Sequence, residues 1–140
     1  MAAQLLLPLL LLLLPLGLTA CGNGPTPPRA IVLSALSLQI ELTQQAIAEA
    51  LGLPGAGTPA VSHVRIEGQR SVPIGDGKGV QLSGHFDWHL QDGPAARDSA
   101  FELYLQRGER GQSWRLARPA GPSGDGQNQQ WLIDPLPIKA

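Results

Sequence analysis

At Gly52-Leu53-Pro54-Gly55 the spacing of apolar residues changes from a helical repeat to a strand repeat, and no other feature constrains the fold as much. Upstream, Ala30 to Leu51 contains neither Pro nor Gly, and Val32, Leu36, Ile40, Ile47 and Leu51 recur at spacings of four and seven, with Leu33, Leu38, Leu42 and Ala46 widening the stripe. That is the period of an amphipathic helix, with Glu41, Gln44, Gln45 and Glu49 on its polar side and a Gly-then-Pro stop after Leu51. Downstream, the alternation has period two. Val64 and Ile66 alternate with His63, Arg65 and Glu67, which predicts a strand near 61–68; Val72 to Ile74 suits a short edge piece limited by Pro73. Gly75 to Gly79 predicts a turn, and Val80, Leu82, Phe86, Trp88 and Leu90 share one face of the clearest strand. Phe101, Leu103 and Leu105 define the next strand. Gly108 to Gly111 turns the chain into Trp114 and Leu116, and a last strand runs near 129–133 after a loop over 119–128.

Phe86, Trp88, Phe101, Trp114 and Trp131 have the parity expected of a buried face, and aromatic rings supply much apolar area to a small domain. The expectation is an α+β domain: one long N-terminal amphipathic helix packed on a four- to five-stranded antiparallel meander sheet. That order resembles the cystatin-like and nuclear-transport-factor-like architectures, through element order alone, and so implies little about function.

The start of the chain is of another kind. Leu5 to Leu18 is apolar over fourteen residues, interrupted by Pro8, Pro15 and Gly17, which is short of the roughly twenty residues of a spanning helix and fits a secretory h-region. Its charge pattern is atypical, because residues 1–4 hold no Lys or Arg. The tetrad Leu18-Thr19-Ala20-Cys21 resembles the lipobox of bacterial lipoprotein precursors, in which small residues precede an invariant cysteine. The resemblance implies that residues 1–20 are removed, that the Cys21 thiol becomes a thioether to diacylglycerol, and that the freed amine is acylated. Two or more chains are enough for stable anchoring. Gly22 stands where some lipoproteins carry an inner-membrane retention Asp, so an outer-membrane anchor facing the periplasm is expected. Cys21 is also the chain's single cysteine, so no disulfide within the chain can form.

Removing 20 of the 140 residues leaves 120, the size of one domain. Residues 21–29, with Gly22, Gly24, Pro25, Pro27 and Pro28, have linker composition, and residues 30–140 form the expected domain. Ten basic and eleven acidic residues are interspersed, so neither the basic face of a nucleic-acid binder nor a polybasic membrane patch is present in the sequence.

The polar side of the long strand carries His85, Asp87 and His89. Residues four apart on one strand face are separated by roughly 13 Å, while both imidazoles would have to lie about 2 Å from one zinc ion. The two histidines therefore do not share a metal, and no metal or cofactor is expected. With Glu102 and Tyr104 from the next strand, the same residues make a candidate binding surface on the exposed sheet face. Arg107, Arg110, Arg115 and Arg118 read as a solvated hairpin. Gly75 to Gly79 lacks the Gly-Lys-Ser/Thr ending of a phosphate loop, and no nucleophile elbow occurs. A non-enzymatic role is the expectation.

Phe101 to Gly111, with Ser113 to Leu116, Gly84 to Trp88 and Trp131 to Leu136, resembles small uncharacterised lipoproteins of cyanobacterial type. That resemblance implies lipoprotein status and no particular activity. The expected role is an accessory or scaffold protein of the envelope with a protein partner. The alternative is a carrier of a small molecule or lipid, or an enzyme, with a pocket between helix and sheet.

Overall fold

The computed structural model describes residues 26–55, 57–108, 113–122, 124 and 128–139. The leader, Cys21 and most of the expected linker lie outside the described residues, as do Glu109, Arg110 and Gly111 and part of the expected 119–128 loop. Arg29–Leu51 forms helix α1. Five strands follow in order: β1 Ala60–Ile74, β2 Gly77–His89, β3 Ala96–Arg107, β4 Ser113–Pro122 and β5 Gln129–Lys139. They make one antiparallel meander in which sequence neighbours are spatial neighbours. The expected α+β fold is present, with five strands.

Helix α1 ends as the Gly52-x-Pro54 sequence requires. Gly52 adopts a left-handed φ of 67°, and the Gly52 and Leu53 N–H groups donate back to Glu49 O and Ala48 O at 3.3 and 2.8 Å, the two bonds of a Schellman termination. Its start is less conventional. Pro28 O accepts from the Ile31 and Val32 N–H groups, no side chain caps the helix, and its first turn holds no acidic residue.

The helix packs chiefly against β5, β1 and β4. β1 and β5 are the two edges of the sheet, so the helix is in contact with both of them. The core joins Ile31, Val32 and Leu36 of α1 to Val64, Leu82, Phe86, Phe101, Leu103, Leu105, Trp114, Leu116 and Leu136. Each such side chain contributes roughly 1.5–3 kcal/mol on burial. Phe86 and Phe101 meet edge to face with centroids 5.6 Å apart. The Arg107 guanidinium lies over Trp114 at 5.5 Å, while the buried indole N–H finds no acceptor among the described residues.

Several sequence expectations are corrected. The helix buries Ile31, Val32, Ala35 and Leu36, whereas Ile47 and Leu51 of the expected stripe are exposed, because the C-terminal half extends past the sheet and buries only Ala48. The pieces 61–68 and 72–74 are one strand. Its edge position tolerates Pro73, and irregular pairing between Ser62 and Arg65 and between Ile66 and Gly68 absorbs the break in pattern. The β1–β2 turn is Gly75-Asp76 alone, with Gly75 at φ 58°; Gly77 to Gly79 belong to β2. β4 continues through Pro122 into the expected loop.

Trp131 is the largest correction. It lies on the outer face of the sheet with Tyr104, together with Ile133, which pairs through Ala117 with Tyr104. Leu136 supplies the β5 side chain of the core instead. Asp134 shares Leu136's parity. In the fold, Arg118 donates to Asp134 at 3.1 Å at the margin of the core face.

Candidate functional site

The sheet face turned away from α1 collects the residues whose chemistry is not used by the core. Three strands supply them because alternation on β1, β2 and β3 sends every second side chain outward. Gln81 on β2 pairs with Tyr104 on β3 and with Arg70 on β1. The resulting hydrogen-bond chain crosses all three strands. Arg70 Nε donates to Gln81 Oε1, Gln81 Nε2 donates to the Tyr104 hydroxyl at 3.1 Å, and that hydroxyl donates to Glu102 Oε1 at 2.8 Å. The Tyr104 ring meets Trp131 edge-on, with centroids 5.1 Å apart, and Ala117 beside them is fully buried. Partial burial of the phenol, with the neighbouring Glu102 carboxylate, raises its pKa above the usual tyrosine value.

Further along the face, Asp87 is the centre of a second network. Its Oδ2 lies 3.0 Å from His63 Nδ1, and its Oδ1 accepts the Asp98 backbone N–H at 2.8 Å. The Asp98 side chain in turn receives Arg65 Nη2 at 2.6 Å. His63 and Asp98 are the non-glycine residues with positive φ among the described residues, at 51° and 53°. Such conformations cost of order 1–3 kcal/mol each, and one carboxylate bonds both of them. The Asp98 N–H holds the Asp87 carboxyl below the ordinary carboxylate range; desolvation opposes this, and His63 and Arg65 add to it. His85, between the two networks, pairs with Glu67 across β1 at 2.9 Å.

Of the five residues expected on this face, the fold joins only Glu102 and Tyr104. Asp87 bonds His63 rather than His85, and His89 is exposed with Nδ1 3.0 Å from Leu90 O. No group of three or more His, Cys, Asp or Glu side chains that could hold a metal occurs among the described residues. His63, Arg65, Glu67, Arg70, Gln81, Asp98 and Trp131 were not anticipated as site residues. The alternation of His63, Arg65 and Glu67 marked them as outward-facing, but their partners depend on the β1 irregularities. Each irregularity displaces the pairing by one residue, so by Ser62 the register has slipped two residues from the one the Gly75-Asp76 turn sets.

A cleft of about 270 Å³ opens on the opposite side of the sheet, between α1 and the β2–β3 pair, floored by Leu36, Ile40, Phe86, Trp88 and Phe101. His85, Asp87 and His89 do not line it, so a helix–sheet pocket and the histidine strand belong to opposite faces. Glu102 reaches it through its backbone carbonyl, 3.5 Å from Gln39 Nε2. Helix α1 is also long and apolar enough to cross a membrane by length and composition, although Ile31, Val32, Ala35 and Leu36 are engaged in the core.

No family model, curated protein or solved structure matches the chain.

Proposed function

We propose that the chain is a non-catalytic accessory protein of a bacterial envelope, tethered to lipid through Cys21 and presenting the outer face of its sheet to a protein partner. The observation that carries this reading is the pairing of Tyr104 with Trp131 on that face, beside Ile133, which is 38% exposed, and rimmed by Arg70 and Glu102. Amphipathic aromatics surrounded by polar groups are the usual anchors of protein interfaces. The edges are poor competitors for a partner strand. β5 carries Pro135 and Pro137, and β1 carries Pro73 and two irregularities.

The test is gentle solubilisation and cross-linking of the tagged full chain, with mass spectrometry of what co-purifies. A stoichiometric protein partner is expected, retained by wild type and lost by Tyr104→Ala with Trp131→Ala, while the thermal unfolding profile stays cooperative. A lone monomer with no cross-linked neighbour would refute the reading. If that monomer carries a bound small molecule, the alternative takes over, for which the apolar floor of the α1–sheet cleft is the supporting observation.

A further inference from the structure

Along the N-terminal half of α1 runs an open groove of about 500 Å³, lined by Ala30, Leu33, Leu38, Val61 and Pro137. Val61 comes from β1 and Pro137 from β5, so both edge strands contribute to its walls. Ser37, Glu41 and Thr58 line it as well, and Thr58 Oγ1 donates to Glu41 Oε2 at 3.4 Å. The groove is thus mostly apolar, with the Ser34 and Ser37 hydroxyls about one and two turns beyond Ala30 and with Glu41 and Thr58 at its far end.

The charge at the apolar end is unusual. Helix N-termini favour Asp or Glu, yet α1 begins with Arg29, has no acidic residue in its first turn and has no side-chain cap. The positive end of the helix dipole and the Arg29 charge therefore add at the start of α1, next to Ala30, which lines the groove. Cys21 precedes this same end of α1 by eight positions, with seven residues between it and Arg29, a reach of about 25–30 Å at most.

We infer that a membrane phospholipid docks here, with an acyl chain in the groove and its phosphate at Arg29 and the start of α1. Apolar lining, positive helix start and tether position coincide at one end of the domain, a combination that suits an anionic amphiphile in the membrane bearing the anchor. Docking of this kind would hold the domain against the bilayer with its outer sheet face directed elsewhere. The inference deepens the lipid-anchored reading, and the two can fail separately.

The experiment is native mass spectrometry of the detergent-extracted full chain, equilibrated with phosphatidylglycerol in mixed micelles, on wild type, Ala30→Trp and Arg29→Glu. Both substituted side chains are exposed, and a melting curve for each variant checks that the fold is kept. The expected result is one phosphatidylglycerol retained by wild type, with occupancy falling about tenfold when the groove is filled or the charge reversed. Equal retention by all three proteins, or none by wild type, would overturn the proposal. The same spectra read the mass at Cys21. An acylated chain that holds no phospholipid defeats only the docking, and an unmodified chain that holds it defeats only the anchor.

Discussion

Tyr104 is the residue where environment most changes chemistry. Its phenol lies at the junction of Gln81, Glu102 and Trp131, and partial burial together with the Glu102 carboxylate disfavours the phenolate. It is the chain's single tyrosine, so ultraviolet absorbance reports it alone. The expected titration midpoint lies above the ordinary value of about 10. Glu102→Gln should lower the midpoint without restoring it fully, because burial is the larger cause and survives the substitution. A wild-type midpoint at the ordinary value, or no response to Glu102→Gln, would show that the phenol is solvated and the hydrogen-bond chain open. Tyr104's outward parity was legible in the sequence. Its contact with Trp131 was not, since parity within β5 does not say which of its two faces meets the core.

Strand β1 shows how one missing side chain sets the shape of an element. Gly84 shares the inward parity of Leu82 and Phe86, and an ideal Cβ there would stand 1.9 Å from Arg65 O and 3.1 Å from Ile66 Cα. Only glycine lets the irregular stretch of β1 lie this close to β2, and that stretch brings His63 to Asp87 and Glu67 to His85. Gly84→Ala forces a backbone carbonyl to move, and overpacking of this kind costs about 1–3 kcal/mol. Urea unfolding should show a lower midpoint at an unchanged slope; an unchanged midpoint would mean that β1 does not hold this approach in solution. In the sequence Gly84 falls between Leu82 and Phe86 on the apolar face of β2. The carbonyl that meets it could not be read there, because that carbonyl belongs to a strand whose register the sequence leaves open.

At the scale of the molecule, one helix packs on one sheet, and four of its five buried residues lie in the span from Ile31 to Leu36. The switch of periodicity at Gly52 made helix and meander legible together, but a repeat of spacings cannot show where a helix runs out of sheet to cover. Leu36 is 1% exposed and surrounded by core, while Ile47, which continues the same stripe, is 48% exposed beyond the sheet. Leu36→Ala should therefore cost about 2–5 kcal/mol, the range for deleting a buried leucine side chain. Ile47→Ala should stay within about 0.5 kcal/mol of wild type. The pair is best measured by chemical denaturation of the full chain at several protein concentrations. A cost at Ile47 approaching that at Leu36, growing with concentration, would mean that a second copy covers the distal half of α1 in solution. The predicted outcome, a large cost at one site and almost none at the other, independent of concentration, would place the larger part of the helix's contribution to stability in the turns that carry Ile31 to Leu36.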